Sequence, residues 1–219
     1  MKHPTIEKEI LAAAPSYTGC VLECPIRNSM FEPALWEEIT AETLRLRNLY
    51  VVEDINKLPG IYEMRQLYKK LGKDPNRYRP SAEALCRRLL QGKELYQINT
   101  LVDLINLVSI HTGFSIGGFD ADKVQGELSI GVGQAGEPFE AIGRGQLNIE
   151  GLPVYRDAQG AIGTPTSDVD RTKLCLETTS LLMIIHSAGG PKGLNEAMEL
   201  SQNLLLRYAQ ATELRILRF

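Results

Sequence analysis

The chain has 219 residues, 43% hydrophobic and 23% charged, the balance of a folded globular protein long enough to bury a sizeable core. A formal charge of -3 argues against nucleic-acid binding driven by whole-protein charge, and no apolar run approaches the roughly 20 residues of a membrane-spanning helix. His3, His111 and His186 fall at no metal-ligand spacing, and Cys20, Cys24, Cys86 and Cys175 form neither a disulfide framework nor paired zinc knuckles, so no metal or cofactor is expected, the thiols are expected to be buried, and a reducing cytoplasm is the expected compartment.

In chain order, the first 15 residues carry acidic groups and only a brief apolar patch, which is not the pattern of a secretory signal. Tyr17 to Cys24 alternates as a short strand. Phe31 to Tyr50 is predicted as a helix beginning after Asn28 or Ser29, and Pro59 opens another that carries Ile61, Met64, Leu67 and Tyr68 and ends before Gly72. Ser81 is predicted to cap a short helix ended by Gly92. Thr100 to Thr112 follows as a helix capped by Asn99 or Thr100, with Asp103 reaching back to the first free amides, Leu101, Leu104, Ile105 and Val108 as a buried stripe, and Gly113 as its stop. From Gly126 the texture changes to short predicted strands over Glu127 to Val132, Phe139 to Ile142, Pro153 to Arg156, Arg171 to Leu176 and Ser180 to His186, before a closing helix from Leu194 to Gln210. Helices first and strands later predict an α+β fold, helices packed on short, mostly antiparallel strands as two intimately packed lobes with a cleft between them, and residues 1 to 219 are expected to form one domain.

Gly131 to Gly136 has the glycine spacing of a dinucleotide-binding turn, but Pro138, Gly143 and Gly145 leave no helix N-terminus after it to hold a pyrophosphate, so a bulged β-hairpin is expected there and no dinucleotide. Between Lys69 and Lys93 eight basic residues stand against Asp74 and Glu83, a local excess of six positive charges. That segment reads either as a solvated helix face or as a surface for nucleic-acid phosphates, and the Arg77-Tyr78-Arg79-Pro80-Ser81 run favours the second, with Arg77, Arg79, Arg87 and Arg88 as the expected phosphate contacts. Asn106 is the polar residue amid the apolar stripe of its helix. Its amide needs up to four hydrogen-bond partners, so it either ties the helix to a neighbouring loop or points into a ligand cavity.

Ile98, Asn99, Leu101, Val102, Asp103 and Asn106, followed about a dozen residues later by Phe119, Asp120, Asp122, Lys123 and Gly126, form a pattern that resembles the B-three/B-four module, the tRNA-editing domain of the bacterial phenylalanyl-tRNA synthetase β subunit. The chain also resembles free-standing relatives of that module through Arg77, Tyr78, Ser81 and Leu85 and through the run Ser167, Asp168, Asp170, Arg171, Thr172. The resemblance implies a module that binds tRNA or an aminoacyl-tRNA end and hydrolyses the ester of mischarged species in trans, by placing water and ester carbonyl rather than by a covalent nucleophile or a metal. It implies Asn106 as the catalytic position, with Gly118, Asp120 and Gly163 at the substrate pocket. Two departures stand out: the family's Thr before that Asn is Ile105 here, and its pocket His is Gly118, which puts tyrosine as the cleared amino acid in doubt. A family Glu that recognises the tyrosine hydroxyl falls at Glu177 by its Thr-x-x-x-x-Glu context, or at Ile185 or His186 by strand position, and the strand reading is preferred. The competing expectation is a non-catalytic RNA-binding or amino-acid-binding module.

Overall fold

The computed structural model describes residues 2 to 219. Its centre is a four-stranded sheet in the order β10-β2-β9-β3, in which β2 (Thr18–Pro25), β3 (Ile116–Asp120) and β9 (Ser180–Ser187) are joined at the edge by β10 (Arg215–Arg218). All neighbouring pairs in this sheet are antiparallel, β2 running against β9 from Thr18 opposite Ser187 to Pro25 opposite Ser180. Because side chains alternate across a strand, β9 buries two faces at once. Leu181, Met183 and Ile185 enter one core with Cys20, Leu22 and Cys24 of β2, while Leu182 and Ile184 enter a second core with Val21. That two-sided burial is why this strand reads as an unbroken apolar run.

On the first face lie the helices α2 (Pro33–Leu49), α4 (Ser81–Leu90), α5 (Thr100–Thr112) and α6 (Leu194–Tyr208). On the second lies another four-stranded sheet, in the order β1-β4-β7-β8, built from β1 (Pro4–Ile6), β4 (Leu128–Val132), β7 (Pro153–Asp157) and β8 (Gly160–Gly163). Within it β1 is parallel to β4 and the other pairs are antiparallel. The helix α1 (Lys8–Ala13) contributes Ile10 to this core, and α3 (Pro59–Lys70) contributes Met64, Leu67 and Tyr68. A small hairpin pairs β5 (Glu140–Ala141) with β6 (Gly145–Gln146). The α+β class is therefore as expected, with the central sheet separating a helical core from a sheet-on-sheet core.

Helix α5 carries the local signals the sequence advertises. Asn99 accepts from the Val102 N–H at 3.1 Å, and Asp103 reaches back to the Ile98 N–H at 3.1 Å while accepting from the Trp36 indole at 2.8 Å. Gly113 ends it at φ 78°, a left-handed conformation open to glycine without strain. Nine of its thirteen residues are buried, since it packs against α2, α4 and α6 as well as the sheet.

Other expectations are corrected. The helix predicted from Phe31 begins at Pro33 with Glu32 as its cap, because Asn28 serves elsewhere, accepting from Leu101 N–H and donating to the Cys175 carbonyl. Ser81 is the first residue of α4 rather than its cap. Arg171 to Leu176 is not a strand: a 3-10 turn occupies Asp170–Thr172, and Arg171 is drawn to Asp157 of β7 at 2.8 Å. Gly117 and Gly118 lie in the edge strand β3, for which no strand is predicted. No hairpin forms over Gly131 to Gly136, because β4 pairs with β1 and β7; no helix follows it either. Cys20, Cys24 and Cys86 are buried, burial pushing their thiols up to about 12, about 11 and about 12, whereas Cys175 is only partly buried.

Candidate functional site

A partly open cavity of about 470 Å³ lies where α4, α5 and β3 meet the segments around residues 142 and 168 to 174. Ile98, Val102, Ile105, Ile116, Ile142 and Leu174 give it hydrocarbon walls. Its polar lining is sparse: Ser81 from α4, Asn106 and Ser109 from α5, and Asp168 and Lys173 from the long connection after β8. Apolar walls with a few convergent polar groups are the usual make-up of a small-ligand site.

Asn106 reaches this cavity from the side of α5 that also carries Val102, Ile105 and Ser109. Among the described residues its carboxamide has no hydrogen-bond partner, and neither have the hydroxyls of Ser81 and Ser109. Of the two alternatives open to Asn106 from its position, a structural tie and a ligand-facing group, the geometry is that of the second.

Two glycines shape the cavity by what they omit. A Cβ on Gly118 would run into Ile105 Cδ1, so the volume that a side chain there would fill already holds the isoleucine. Gly118 therefore does not leave an empty slot. A Cβ on Gly163 would meet Asp168 Oδ1 and the Phe119 ring. The absence of that Cβ lets the Asp168 carboxyl lie against the backbone, and Asp168 is fixed in turn by an isolated bridge to Gly163 and by Ile142 N–H on its carbonyl at 3.0 Å. Burial pushes the Asp168 carboxyl up to about 8, against the opposing effect of a hydrogen bond from the Gly118 N–H. The Ser81 N–H donates to the Pro165 carbonyl at 2.7 Å, which holds the start of α4 against the loop that carries Asp168.

The remaining predicted site residues lie elsewhere. Asp120 is buried but serves the turn after β3, accepting from Asp122 N–H and the Thr178 hydroxyl at 3.2 Å each and pairing with Lys123 at 3.2 Å. Glu177 is exposed in the loop before β9 and does not line the cavity. His186 lies in the core on the far face of the central sheet, bonded through Nδ1 to the Tyr17 hydroxyl at 2.9 Å, and burial pushes it down to about 3, so its ring is neutral. Ile185 points to the helical core. The preferred strand positions for the family Glu thus put no acceptor in the cavity, because β9 is covered on both faces.

The basic segment divides in two. Arg87 donates to fully buried Glu83 at 2.8 Å and to the Val52 carbonyl at 3.2 Å, and Lys73 is buried with its ammonium on the carbonyls of Asn148 and Glu150. Arg88 lies 3.9 Å over the Tyr96 ring and donates to the Glu94 carbonyl at 2.6 Å. Arg77 and Arg79 are exposed, in the loop that leads into Ser81 at the cavity. Sequence reasoning missed Asp168, Ser81, Ser109 and Lys173 as lining groups; the signal available for Asp168 was its place in the Ser167 to Thr172 run. Among the described residues no group of three His, Cys, Asp or Glu side chains is placed to hold a metal ion, and no helix is long and apolar enough to cross a membrane.

The chain is 33% identical over 92 residues to the phenylalanine–tRNA ligase beta subunit of Bartonella henselae, a match that covers 41% of this chain and 11% of that protein. Its fold is similar to the crystal structure of an N-terminal fragment of the phenylalanyl-tRNA synthetase beta subunit from Pyrococcus horikoshii, with a TM-score of 0.50 and 12% identity over 99% of this chain and 52% of that one. The chain thus spans about half or less of the length of either relative. The model of the B3/4 domain matches residues 63 to 210, a stretch that contains α4, α5, β3, β9 and the whole lining of the cavity, and the chain belongs to the B3/4 domain family.

Proposed function

We propose that the cavity receives the aminoacyl end of a mischarged tRNA and that the protein hydrolyses its ester bond in trans. The observation that carries this reading is Asn106, a carboxamide on a buried helix that lines a half-open apolar cavity and has no hydrogen-bond partner among the described residues, in a chain of the B3/4 family. Such a group can hold the ester carbonyl while a water adds to the carbonyl carbon, the ribose oxygen leaving with a proton. The ester is activated already, so positioning supplies much of the rate. Arg77 and Arg79, exposed in the loop that leads into Ser81, are the groups suited to the phosphates of the acceptor end. Residues 1 to 219 would act as one unit in this reading.

A deacylation screen across charged tRNAs, with protein substoichiometric, tests it. Turnover is expected for at least one non-cognate pair, and Asn106→Ala is expected to lower that rate more than it lowers tRNA binding, by the order of 1–3 kcal/mol that a lost buried hydrogen bond represents. Normal deacylation by a folded Asn106→Ala protein would remove Asn106 from the site. The presence of Ile105 and Gly118 where the family has polar groups favours a second reading, an aminoacyl-end binder without hydrolysis. Protection of charged tRNA at stoichiometric protein, with no turnover for any pair, would establish that reading over the first.

A further inference from the structure

Asp168 is a charged lining group to which the ester reading gives no task. Among the described residues its carboxyl takes part in no ion pair, and it lines a cavity whose walls are mostly hydrocarbon. The other charged lining group, Lys173, is held by Asp170 at 2.7 Å. The backbone is shaped to admit this carboxyl, since a Cβ on Gly163 would collide with Oδ1. Asp168 is half-buried, and a carboxyl set against apolar walls without a cation offers a cationic ligand a pairing that reduced contact with water strengthens.

Resting on the aminoacyl reading of the same cavity, we propose that Asp168 binds the α-ammonium of an aminoacyl group with an aliphatic side chain. The side chain lies against Ile105, Ile116 and Leu174, and the carbonyl is left to Asn106. The ligand class is therefore a primary amine next to a carbonyl and a branched or straight hydrocarbon, which is narrower than any aminoacyl ester.

The charge state of Asp168 gives this assignment a signature. With its carboxyl pushed up to about 8, Asp168 holds a proton at neutral pH, and an arriving ammonium must expel it. Tyr155 of β7 is the titratable group that interacts with Asp168 from the second sheet, Lys173 and Asp170 flank it from the adjacent turn, and α4 and α5 present only neutral Ser81, Asn106 and Ser109 to the cavity. An α-amino group loses its proton at about 7.7–8.0. Affinity should therefore peak near pH 8, where ionised carboxyl and protonated amine coexist best, and fall about tenfold per unit below it.

The test uses the full chain, L-leucinamide, and its des-amino counterpart 4-methylpentanamide in titration calorimetry. Wild type is expected to prefer leucinamide by about tenfold or more, with proton release visible as a dependence of the heat on buffer ionisation enthalpy. Asp168→Asn keeps the shape of the side chain, removes its charge, and is expected to abolish both the preference and the acidic limb of the pH profile. Equal binding of the two amides by wild type, no binding of leucinamide at millimolar concentration, or an unchanged preference in folded Asp168→Asn would each overturn the proposal. If Asp168→Asn does not fold, the wild-type comparison and pH profile decide alone. Protein that binds leucinamide as described yet deacylates no charged tRNA would refute hydrolysis and leave this assignment standing. Deacylation undiminished in Asp168→Asn would do the reverse.

Discussion

Glu83 is the position where a single neutral substitution should do most damage outside the cavity. Its carboxylate is fully buried on α4 and is shared by two guanidinium groups, Arg65 of α3 at 2.8 Å and Arg87 one turn along its own helix at 2.8 Å. The Arg65 side chain is 8% exposed and also donates to the Pro75 carbonyl and the Asn76 side chain, so it cannot swing out to water without releasing the turn between α3 and α4. Glu83→Gln keeps the shape and removes the charge, which leaves two cations with no anion at their centre. Breaking a buried pair in this way costs about 3–5 kcal/mol. For a chain of this length that corresponds to a fall in Tm of about 6–20 °C. Arg87, 19% exposed, has a route to solvent, so Arg87→Ala should cost less than Glu83→Gln. Replacing the pair together, as Arg65→Met with Glu83→Leu, should recover most of the loss, because removing a whole buried pair is often near neutral. Urea denaturation followed by circular dichroism, with midpoint and slope both reported, is the assay. A Glu83→Gln protein with an unchanged midpoint would show that the triad is not the tie between α3 and α4 that its geometry describes.

The contact of His111 with Glu42, at 3.1 Å, makes stability pH-dependent. The Glu42 hydrogen bond raises His111 above the usual histidine range against its partial burial, so the folded-state pKa exceeds the unfolded one; the stabilisation is fully present below about 6.5 and is lost as pH rises through the raised value. Glu42 is lowered, its burial outweighed by hydrogen bonds from His111 and Arg45, so its share is lost as pH falls below the ordinary carboxylate range; His111→Gln should flatten the limb above about pH 6.5 in urea midpoints, and an unaltered limb would assign it to another group. Gly118→Ala should push the flexible end of Ile105 into the cavity, at the lower end of the about 1–3 kcal/mol typical of overpacking, and Gly118→Ala with Ile105→Val should restore stability in a double-mutant cycle; strict additivity would refute the contact. Arg77→Ala with Arg79→Ala should weaken tRNA binding and lower the slope of log affinity against log salt by about 0.7–0.9 per lost contact, whereas an unchanged slope in filter-binding measurements would return that loop to solvent.

The sequence by itself determined those elements whose causes are local or pervasive. Helix α5 is written in its own residues, from the Asn99 cap through Asp103 to the left-handed Gly113, and β9 is written as an apolar run because both its faces are covered. Asn106 was legible for a related reason: a polar residue in an apolar stripe must have a purpose, and the cavity supplies a place for it. Sidedness was not legible. Alternation puts Ile185 and His186 on opposite faces of β9, but which face meets helices and which meets the second sheet depends on elements far away in the chain, so neither position reaches the cavity. The pair Gly117-Gly118 has the composition of a turn and becomes a strand only because β9 offers a free edge, pairing being a property of the partner as much as of the residues. Charge behaved likewise: Arg87 and Arg79 look equivalent in a basic run, and a carboxylate held by Arg65 from another helix turns one inward and leaves the other exposed. Asp168 owes its half-buried position to a bridge with Gly163 and to the walls of α4, α5 and β3, contacts made across long loops, and it is this partial withdrawal from water, which no local pattern encodes, that sets its chemistry.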